Sequence, residues 1–253
     1  SQTISAILTV MALMKRTDAC RFELKAMAFH KDALVKIIKI GVPAGIQGSL
    51  FSISNVLIQS SINSFGDLVM SGNAAAGNIE GFVYITMNAF HQTTLNFVGQ
   101  NLGAGKMDRV HKVVGIDLLL VTLVGLVTGL TAFHFGRPLL SIYITDSAEA
   151  IEYGITRMSF VCAPYFLCGL MDVMNGALRG LGSSMEPLII TVLGVCVMRV
   201  VWIYTVFRIP AYHTLSCLYV SYPISWVLTL LAQIVGYLLV ARRLKRRLTP
   251  AAA

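Results

Sequence analysis

The stretch GQNLGAGK, residues 99–106, resembles at first sight the glycine-rich loop that holds the phosphates of a nucleotide. That loop needs a glycine five residues before the glycine that precedes the lysine, and a Ser or Thr after the lysine to hold magnesium. Gln100 and Met107 stand at those two positions. The loop must also follow a short buried strand, whereas a long helical segment rich in apolar residues precedes Gly99. The stretch therefore predicts the end of a helix, because glycine adopts the positive φ that ends one.

The composition indicates a membrane protein. Hydrophobic residues make up 56% of the 253 residues and charged residues 13%, where soluble domains carry about 25% charged residues. Lys and Arg number 20 against 12 Asp and Glu. Apolar runs separate the basic clusters, which argues against a nucleic-acid partner because that needs one basic face. The five cysteines lack metal-ligand spacing, the chain has no HExxH pair, and no Ser, His and carboxylate set stands out. We therefore expect neither an enzyme nor a bound cofactor.

Six apolar segments reach the roughly 20 residues that a helix needs to cross a bilayer. They are residues 40–62, 72–99, 113–135, 155–178, 187–207 and 215–241. We expect Gly41 with Pro43 to open the first and Pro187 to open the fifth. The fold class is therefore an all-α integral membrane protein with a bundle of six transmembrane helices over residues 40–241.

The flanking residues complete the domain organisation. Residues 1–14 are predicted to be the end of a preceding transmembrane helix, and residues 15–39 a basic cytoplasmic connector with an amphipathic surface helix. Residues 242–253 are predicted to be a basic cytoplasmic tail. This topology puts 16 of the 20 basic residues on the side that holds both ends of the chain. The exceptions are Arg137, Arg157, Arg199 and Arg208. Basic loops mark the cytoplasmic side, so we expect a multi-pass protein of the cell membrane with both ends in the cytoplasm.

The second segment carries a polar stripe at helical spacing. Its members are Glu80, Tyr84, Met87, His91 and Thr94, with Asn88 on the flank. Polar groups in hydrocarbon turn toward a bundle interior or a wet cavity. The stripe is therefore either a helix–helix seam or a cavity wall for an organic cation, in which Glu80 supplies negative charge and Tyr84 an aromatic face.

A second stripe lies on the fourth segment, at Tyr165, Cys168, Asp172, Asn175 and Arg179. A buried carboxylate tends to take up a proton, because desolvation disfavours its charged form. Glu80 and Asp172 are therefore the candidates for exchanging a proton or a cation with the pathway. For each, a structural ion pair with a nearby Arg or Lys is the alternative.

Other polar residues have less specific interpretations. Ser52, Asn55 and Gln59 share one face of the first segment and can bond across helices or line a wet cavity. Asp117 is predicted to be a surface charge. Arg199 is expected to extend to the outer headgroups, with an ion pair to Asp172 as the alternative.

Two motifs carry a resemblance to a known family. Residues 97–106, FVGQNLGAGK, resemble the "QN-G-AG" signature of the multidrug and toxic compound extrusion (MATE) family. Residues 175–184, NGALRGLGSS, followed by Pro187, resemble that family's "G-LRG-G-S/T---P" segment. Residues 78–84, NIEGFVY, are also similar to bacterial members that keep a glutamate there.

The resemblance implies a fold and a function. Family members have two six-helix halves around a central cavity, and this chain is similar to the second half, from within helix 6 to helix 12. The missing partner would then be the N-terminal six-helix lobe. The implied activity is efflux of organic cations or lipophilic drugs in exchange for Na⁺ or H⁺, as the halves rock between two states. The candidate substrate and ion pathway residues come from the polar helix faces described above, and they are Glu80, Tyr84, Met87, Asn88, His91, Asp172, Asn175, Asn55 and Gln59.

The chain departs from the family pattern in one respect. Members with a sodium site in this half have acidic residues where Phe51 and Cys168 stand here, so the ion site is expected to involve Glu80 or the missing half. Two other functions stay open. One is a flippase for lipid-linked sugars, which would line its cavity with Arg and Lys. The other is a folded module without independent activity.

Overall fold

The computed structural model describes residues 2–17, 21–22, 28 and 30–248. The remaining parts of the predicted connector and of the predicted tail lie outside the described residues. The regular elements within the described residues are helical. They are α1 (Gln2–Met14), α2 (Lys31–Asn63), α3 (Asp67–Gly103), α4 (Met107–His134), α5 (Gly136–Tyr143), α6 (Ala148–Phe160), α7 (Tyr165–Gly180), α8 (Met185–Thr191), a π-helical segment (Val192–Val197), α9 (Met198–Tyr204), two 3-10 turns (Val206–Arg208 and Pro210–Tyr212) and α10 (Leu215–Leu248).

The chain divides into two compact units, Ser1–Gly41 and Val42–Ala253. The first contains α1, whose residues are almost all exposed, and the first turns of α2. The second contains the helices that pack around a common core, in which α3 contacts α7, α4 and α6, and α7 contacts α4 and α10.

Four helical segments within the described residues are long and apolar enough to cross a membrane. They are Ile37–Asn63, Met107–His134, Met185–Arg208 and Leu215–Lys245. The pair α6 and α7 makes a fifth if both halves belong to one span. Helix α3 has 37 residues but is too polar to be counted with them. The number of apolar spans is therefore four or five, and the six predicted spans are matched only when α3 is added on length alone.

The first predicted span begins earlier than expected. Helix α2 starts at Lys31, and Pro43 lies inside it instead of opening it. Proline has no N–H to donate and usually disturbs a helix interior, but α2 continues through this position. Lys31, Lys36 and Lys39 therefore belong to the same helix as the apolar stretch.

The fourth predicted span is broken. Helices α6 and α7 meet at an angle of 47°, so a continuous helix over residues 155–178 is wrong. Pro164 lies in the break between them. Because Pro164 has no N–H, it cannot make the bond that would carry α6 into α7. The fifth predicted span also changes its helix type, from α-helix to π-helix at Val192 and back to α-helix at Met198.

Small residues bring α3 close to its neighbours. A Cβ added at Gly72 of α3 would lie 2.3 Å from the backbone oxygen of Ala150 in α6. A Cβ added at Gly176 of α7 would lie 2.6 Å from the backbone oxygen of His91 in α3. Membrane helices use such residues to approach each other closely. Glycine at these two positions therefore sets the spacing between α3 and the α6–α7 pair.

The two motif segments form the same turn. Helix α3 ends before Gly105, with φ of 69°, and α7 ends before Gly182, with φ of 82°. In each turn the residue after this glycine donates its N–H to a carbonyl five residues back. The two bonds are Lys106 N to Asn101 O, 2.9 Å, and Ser183 N to Leu178 O, 3.1 Å. This is the hydrogen bond of a glycine-ended helix, and it confirms that GQNLGAGK ends a helix.

Candidate functional site: a polar cavity beside α3 and α7

A cavity of about 660 Å³ lies among α2, α3, α7 and α10. Its charged lining residues are Glu80, Arg157, Asp172, Arg179 and Arg199. Aromatic side chains also line it, among them Tyr84, Tyr222 and Trp226. This volume falls within the roughly 300–1,000 Å³ of small-molecule sites, and the lining combines charges of both signs with aromatic faces.

The structure brings most of the predicted pathway residues to this cavity. Those that line it are Asn55, Glu80, Tyr84, Asn88, His91, Asp172 and Asn175. Gln59 does not line it: its amide donates to Asn63 and accepts a bond from Asn73, at 2.7 Å and 3.0 Å. Met87 is also outside the lining and is fully buried.

Met87 lies on a different face of α3 from the cavity residues. Its sulfur packs where α3 meets α4 and α7: a Cβ at Gly125 would lie 3.3 Å from it, and one at Gly169 would lie 2.6 Å from it. Thr94, seven residues later, is fully buried on the same face. The predicted stripe is therefore two adjacent faces, one toward the cavity and one toward the core.

Glu80 is held in an ion pair. Arg157 Nη2 donates to Glu80 Oε2 at 2.5 Å, and Arg157 Nη1 donates to Asn73 Oδ1 at 2.6 Å. Tyr165 donates to the other oxygen of Glu80 at 3.5 Å. The geometry therefore favours a structural ion pair with Arg157 as the role of Glu80, over exchange of a proton or a cation with the pathway.

Asn73 extends this ion pair into a network between helices. Tyr219 of α10 donates to Asn73 Oδ1 at 3.3 Å, and Asn73 Nδ2 donates to Gln59 of α2 at 3.0 Å. We call Glu80, Arg157, Asn73, Gln59 and Tyr219 the Glu80 cluster. It joins α2, α3, α6 and α10 at the end of the bundle where α3 begins.

Asp172 has a different environment. Its backbone carbonyl lies 2.8 Å from Nδ1 of His91, but its carboxylate makes no hydrogen bond or ion pair with any residue that the structure describes. Arg179, on the same face of α7, donates instead to Gln47 of α2 at 2.5 Å. Asp172 is therefore a lining carboxylate whose oxygens stay available to the cavity.

Arg199 is placed differently from the prediction. It is buried, with 4% of its surface exposed, and it donates from Nε to Ser225 at 2.9 Å. Its guanidinium lies over the ring of Tyr222, 4.0 Å from the centroid. The expectation that it extends to the headgroups is wrong, and among the described residues no ion pair joins it to Asp172. The hydrogen bond and the aromatic faces of α10 hold the side chain inside the bundle.

Asp117 also contradicts its sequence interpretation. It is 5% exposed and hydrogen-bonded to Thr94 of α3. Helical period explains this, because Asp117 shares a face of α4 with the buried Val110, Val114 and Val121. The surface-charge prediction relied on nearby basic residues and missed that this face packs on α3.

The lining is less acidic than the sequence stripes predicted. Three guanidinium groups, those of Arg157, Arg179 and Arg199, face two carboxylates. Sequence reasoning missed Arg157 because it lies in α6, outside the two polar stripes of the second and fourth segments. Asn73 and Tyr219 were missed because their roles depend on helices far apart in sequence. Within the described residues, no three His, Cys, Asp or Glu side chains are grouped to hold a metal ion.

The MatE family model matches residues 43–205 of the chain. The chain belongs to the MatE family. This family consists of transport proteins rather than enzymes, and with the apolar helices it makes the chain a multi-pass membrane protein.

Named relatives agree with this assignment. The chain is 24% identical over 243 residues to "Probable multidrug resistance protein YoeA" of Bacillus subtilis (strain 168), covering 92% of the chain and 51% of the relative. It is 27% identical over 163 residues to "Probable multidrug resistance protein YpnP" of the same organism, covering 64% of the chain and 36% of the relative. The chain thus spans about half, or less, of the length of these relatives.

Solved structures show the same fold. The Vibrio cholerae MATE transporter VcmN in its bent form matches with a TM-score of 0.79 at 17% identity, over 96% of this chain and 53% of that one. A MATE structure in complex with MaL6 matches with a TM-score of 0.81 at 16% identity. At these identities the likeness concerns the fold alone.

Proposed function

We propose that this chain forms the C-terminal six-helix half of a secondary active multidrug exporter. The exporter moves organic cations or lipophilic drugs outward in exchange for Na⁺ or H⁺. It lies in the cell membrane with both ends of this half in the cytoplasm, and a second six-helix lobe completes its central cavity. Support comes from the family membership and from relatives that are named as multidrug resistance proteins.

The observation that carries the proposal is the free carboxylate of Asp172. It lines the cavity and has no hydrogen-bond or ion-pair partner among the described residues. Exchange of a cation or a proton requires a carboxylate that is not already neutralised by the protein. Asp172 meets this requirement, whereas Glu80 is bound to Arg157. We therefore assign the exchange to Asp172, and to Glu80 the task of holding Arg157 and Tyr165 at the wall.

The identity of the coupling ion stays part of the proposal. Phe51 and Cys168 both line the cavity, and neither side chain offers the carboxylate oxygens that a hard cation prefers. This half therefore supports a proton, or a single Na⁺ at Asp172, better than a multi-carboxylate sodium site.

A flippase for lipid-linked sugars has less support. Such a protein would need a basic wall, and three Arg side chains do line this cavity. However, Glu80 neutralises Arg157, the lining retains the Asp172 carboxylate, and the named relatives are multidrug proteins.

The test is exchange in membrane vesicles that contain the complete protein of which this chain is part. Ethidium efflux is followed while a sodium or a pH gradient is imposed. We expect one of the two gradients to drive efflux. We expect Asp172→Asn to reduce the rate by roughly tenfold or more, a change of about 1.4 kcal/mol, because an amide neither takes up a proton nor carries the negative charge that holds a cation. Asp172→Asn with an unchanged rate and unchanged ion dependence would refute the assignment.

The matched control is Asp117→Asn. Asp117 is also a buried carboxylate in a membrane helix, but it contacts Thr94 and lies outside the cavity lining. We expect its variant to transport within about twofold of the parent. The chain alone, reconstituted in liposomes, is expected to show no gradient-driven transport, because alternating access uses two lobes.

A further inference from the structure

Arg199 is a buried charge that makes no ion pair within the part of the chain that the structure describes. It is 4% exposed, and no Asp or Glu that the structure describes lies within ion-pair distance of it. An uncompensated charge in a membrane helix is costly. Since Arg199 also lines the cavity, the missing negative charge can come from a molecule that enters there.

The Arg199 side chain is held in place through its Nε atom and its ring contacts, and its two Nη atoms have no hydrogen-bond partner among the described residues. Nε donates to Ser225 at 2.9 Å, and the guanidinium lies 4.0 Å from the ring centroid of Tyr222 and 6.0 Å from that of Trp226. The two Nη atoms make no hydrogen bond within the described part of the chain, and neither is among the completely buried side-chain atoms that lack a partner. They therefore keep some accessible surface, and Arg199 is one of the residues that line the cavity.

This geometry suits one kind of ligand group. A guanidinium presents its N–H groups in a planar fork that matches a carboxylate in two parallel hydrogen bonds. Stacking on Tyr222 keeps the fork in place before any ligand arrives, which reduces the entropy lost on binding.

The other two arginines of the lining do not offer the same site. Arg157 is neutralised by Glu80 and also donates to Asn73. Arg179 donates to Gln47, lies at the end of α7, and shares its helix face with Asp172. Arg199 is the lining guanidinium that combines deep burial with the absence of a carboxylate partner among the described residues.

We propose that Arg199 is an anion-binding group of the cavity, which holds the carboxylate of amphoteric substrates whose cationic group is held by Asp172. The proposal rests on the proposed function and deepens it, because it names the residue that distinguishes substrates with a carboxylate from substrates without one. Substrates with a cation alone use Asp172 and the aromatic faces, and do not need Arg199.

The test is equilibrium binding to the complete protein in detergent, with no ion gradient. The two probes are norfloxacin, which carries a carboxylate and an ammonium group, and its decarboxylated analogue. We expect the protein to bind norfloxacin about tenfold or more tightly than the analogue, because charge-assisted hydrogen bonds are the strong ones. Arg199→Met should remove this preference and leave the affinity for the analogue within about twofold.

Two variants complete the design. Arg199→Lys keeps the charge but loses the planar fork, so it should retain part of the preference. Arg208→Met is the matched control: Arg208 also lies over a tyrosine, 5.2 Å from the ring centroid of Tyr204, but it is exposed and outside the cavity lining. It should keep the full preference.

Three results would overturn the proposal. They are a parent protein that binds both probes equally, an Arg199→Met variant that keeps the preference, and one that loses both probes equally, which indicates a structural role. The outcome is independent of transport. If vesicles show no gradient-driven efflux while Arg199→Met still abolishes the preference, the anion site stands and the proposed exporter function fails.

Discussion

The two carboxylates of the cavity lie on neighbouring helices and have different surroundings. Glu80 in α3 is bonded to Arg157 at 2.5 Å and belongs to a network that joins four helices. Asp172 in α7 faces the same cavity, but its oxygens contact no partner among the described residues. The difference depends on α6, which supplies Arg157 to Glu80 and supplies no hydrogen-bond or ion-pair partner to the Asp172 carboxylate among the described residues.

The two carboxylates therefore have different expected roles, because Glu80 stabilises the fold and Asp172 is available for exchange. A carboxylate that is paired and hydrogen-bonded stabilises the fold, and it is costly to change because its partner would be left as an unpaired charge. A carboxylate that is unpaired contributes little to stability and is free to bind a cation or a proton. Residues of the same chemical type in one cavity can therefore be expected to respond in opposite ways to the same substitution.

The largest expected effect is at the paired carboxylate. Glu80→Gln should lower the free energy of unfolding by roughly 3–5 kcal/mol, because it leaves Arg157 without its counter-charge. Urea unfolding in detergent measures this change. The double variant Glu80→Gln with Arg157→Met should recover most of the loss, since neither charge then remains. A single variant as stable as the parent would remove the contrast between the two carboxylates.

A smaller effect is expected where α3 and α7 touch beside Asp172. Gly176→Ala would place a methyl group 2.6 Å from the His91 backbone oxygen, so we expect a loss of about 1–3 kcal/mol from overpacking. Gly115→Ala is the control, because a Cβ there meets nothing within 4 Å. That variant should gain up to about 1 kcal/mol from helix propensity. Equal melting temperatures for the two variants would show that the contact is looser than described.

The two helix ends should be equally sensitive. Gly105→Ala and Gly182→Ala force a side chain into positive φ, and each should cost about 1 kcal/mol. Gly103→Ala serves as the comparison, because Gly103 is the last residue of α3 and a Cβ there meets nothing within 4 Å. Thermal unfolding of the three variants checks this. A difference of more than about 1 kcal/mol between Gly105→Ala and Gly182→Ala would show that the two turns are not equivalent.

The smallest change in stability is expected at the unpaired carboxylate. Asp172→Asn should alter the free energy of unfolding by less than about 0.5 kcal/mol, or raise it, because no ion pair is lost and a buried charge is removed. The same variant is the one expected to lose exchange. If it unfolded as easily as Glu80→Gln, Asp172 would have a structural role and the comparison would fail.

Most of the predicted pathway residues line the cavity, although their partners could not be predicted from the sequence. The helical period placed Asn55, Glu80, Tyr84, Asn88, His91, Asp172 and Asn175 on polar faces, and all of them line the cavity. The same reasoning grouped Met87 with them, because an angular stripe about 80° wide does not show where one neighbouring helix ends and the next begins. Asp117 and Arg157 lie near the start of an apolar segment, where a charge is easily interpreted as a surface group. Arg199 lies deep in its segment and was misplaced because its long side chain was expected to extend to the headgroups.

The sequence by itself determined that this chain is a helical membrane protein, where its helices α3 and α7 end, and which family it resembles. These features depend on local composition, on periodicity, and on glycines whose positive φ needs no tertiary contact. The tertiary structure alone decided that Glu80 is paired and Asp172 is not, that α6 and α7 meet at an angle, and that Arg199 faces the cavity. Each of these depends on which side chains from distant helices meet, and a buried charge is stabilised or left free by neighbours that sequence spacing does not identify.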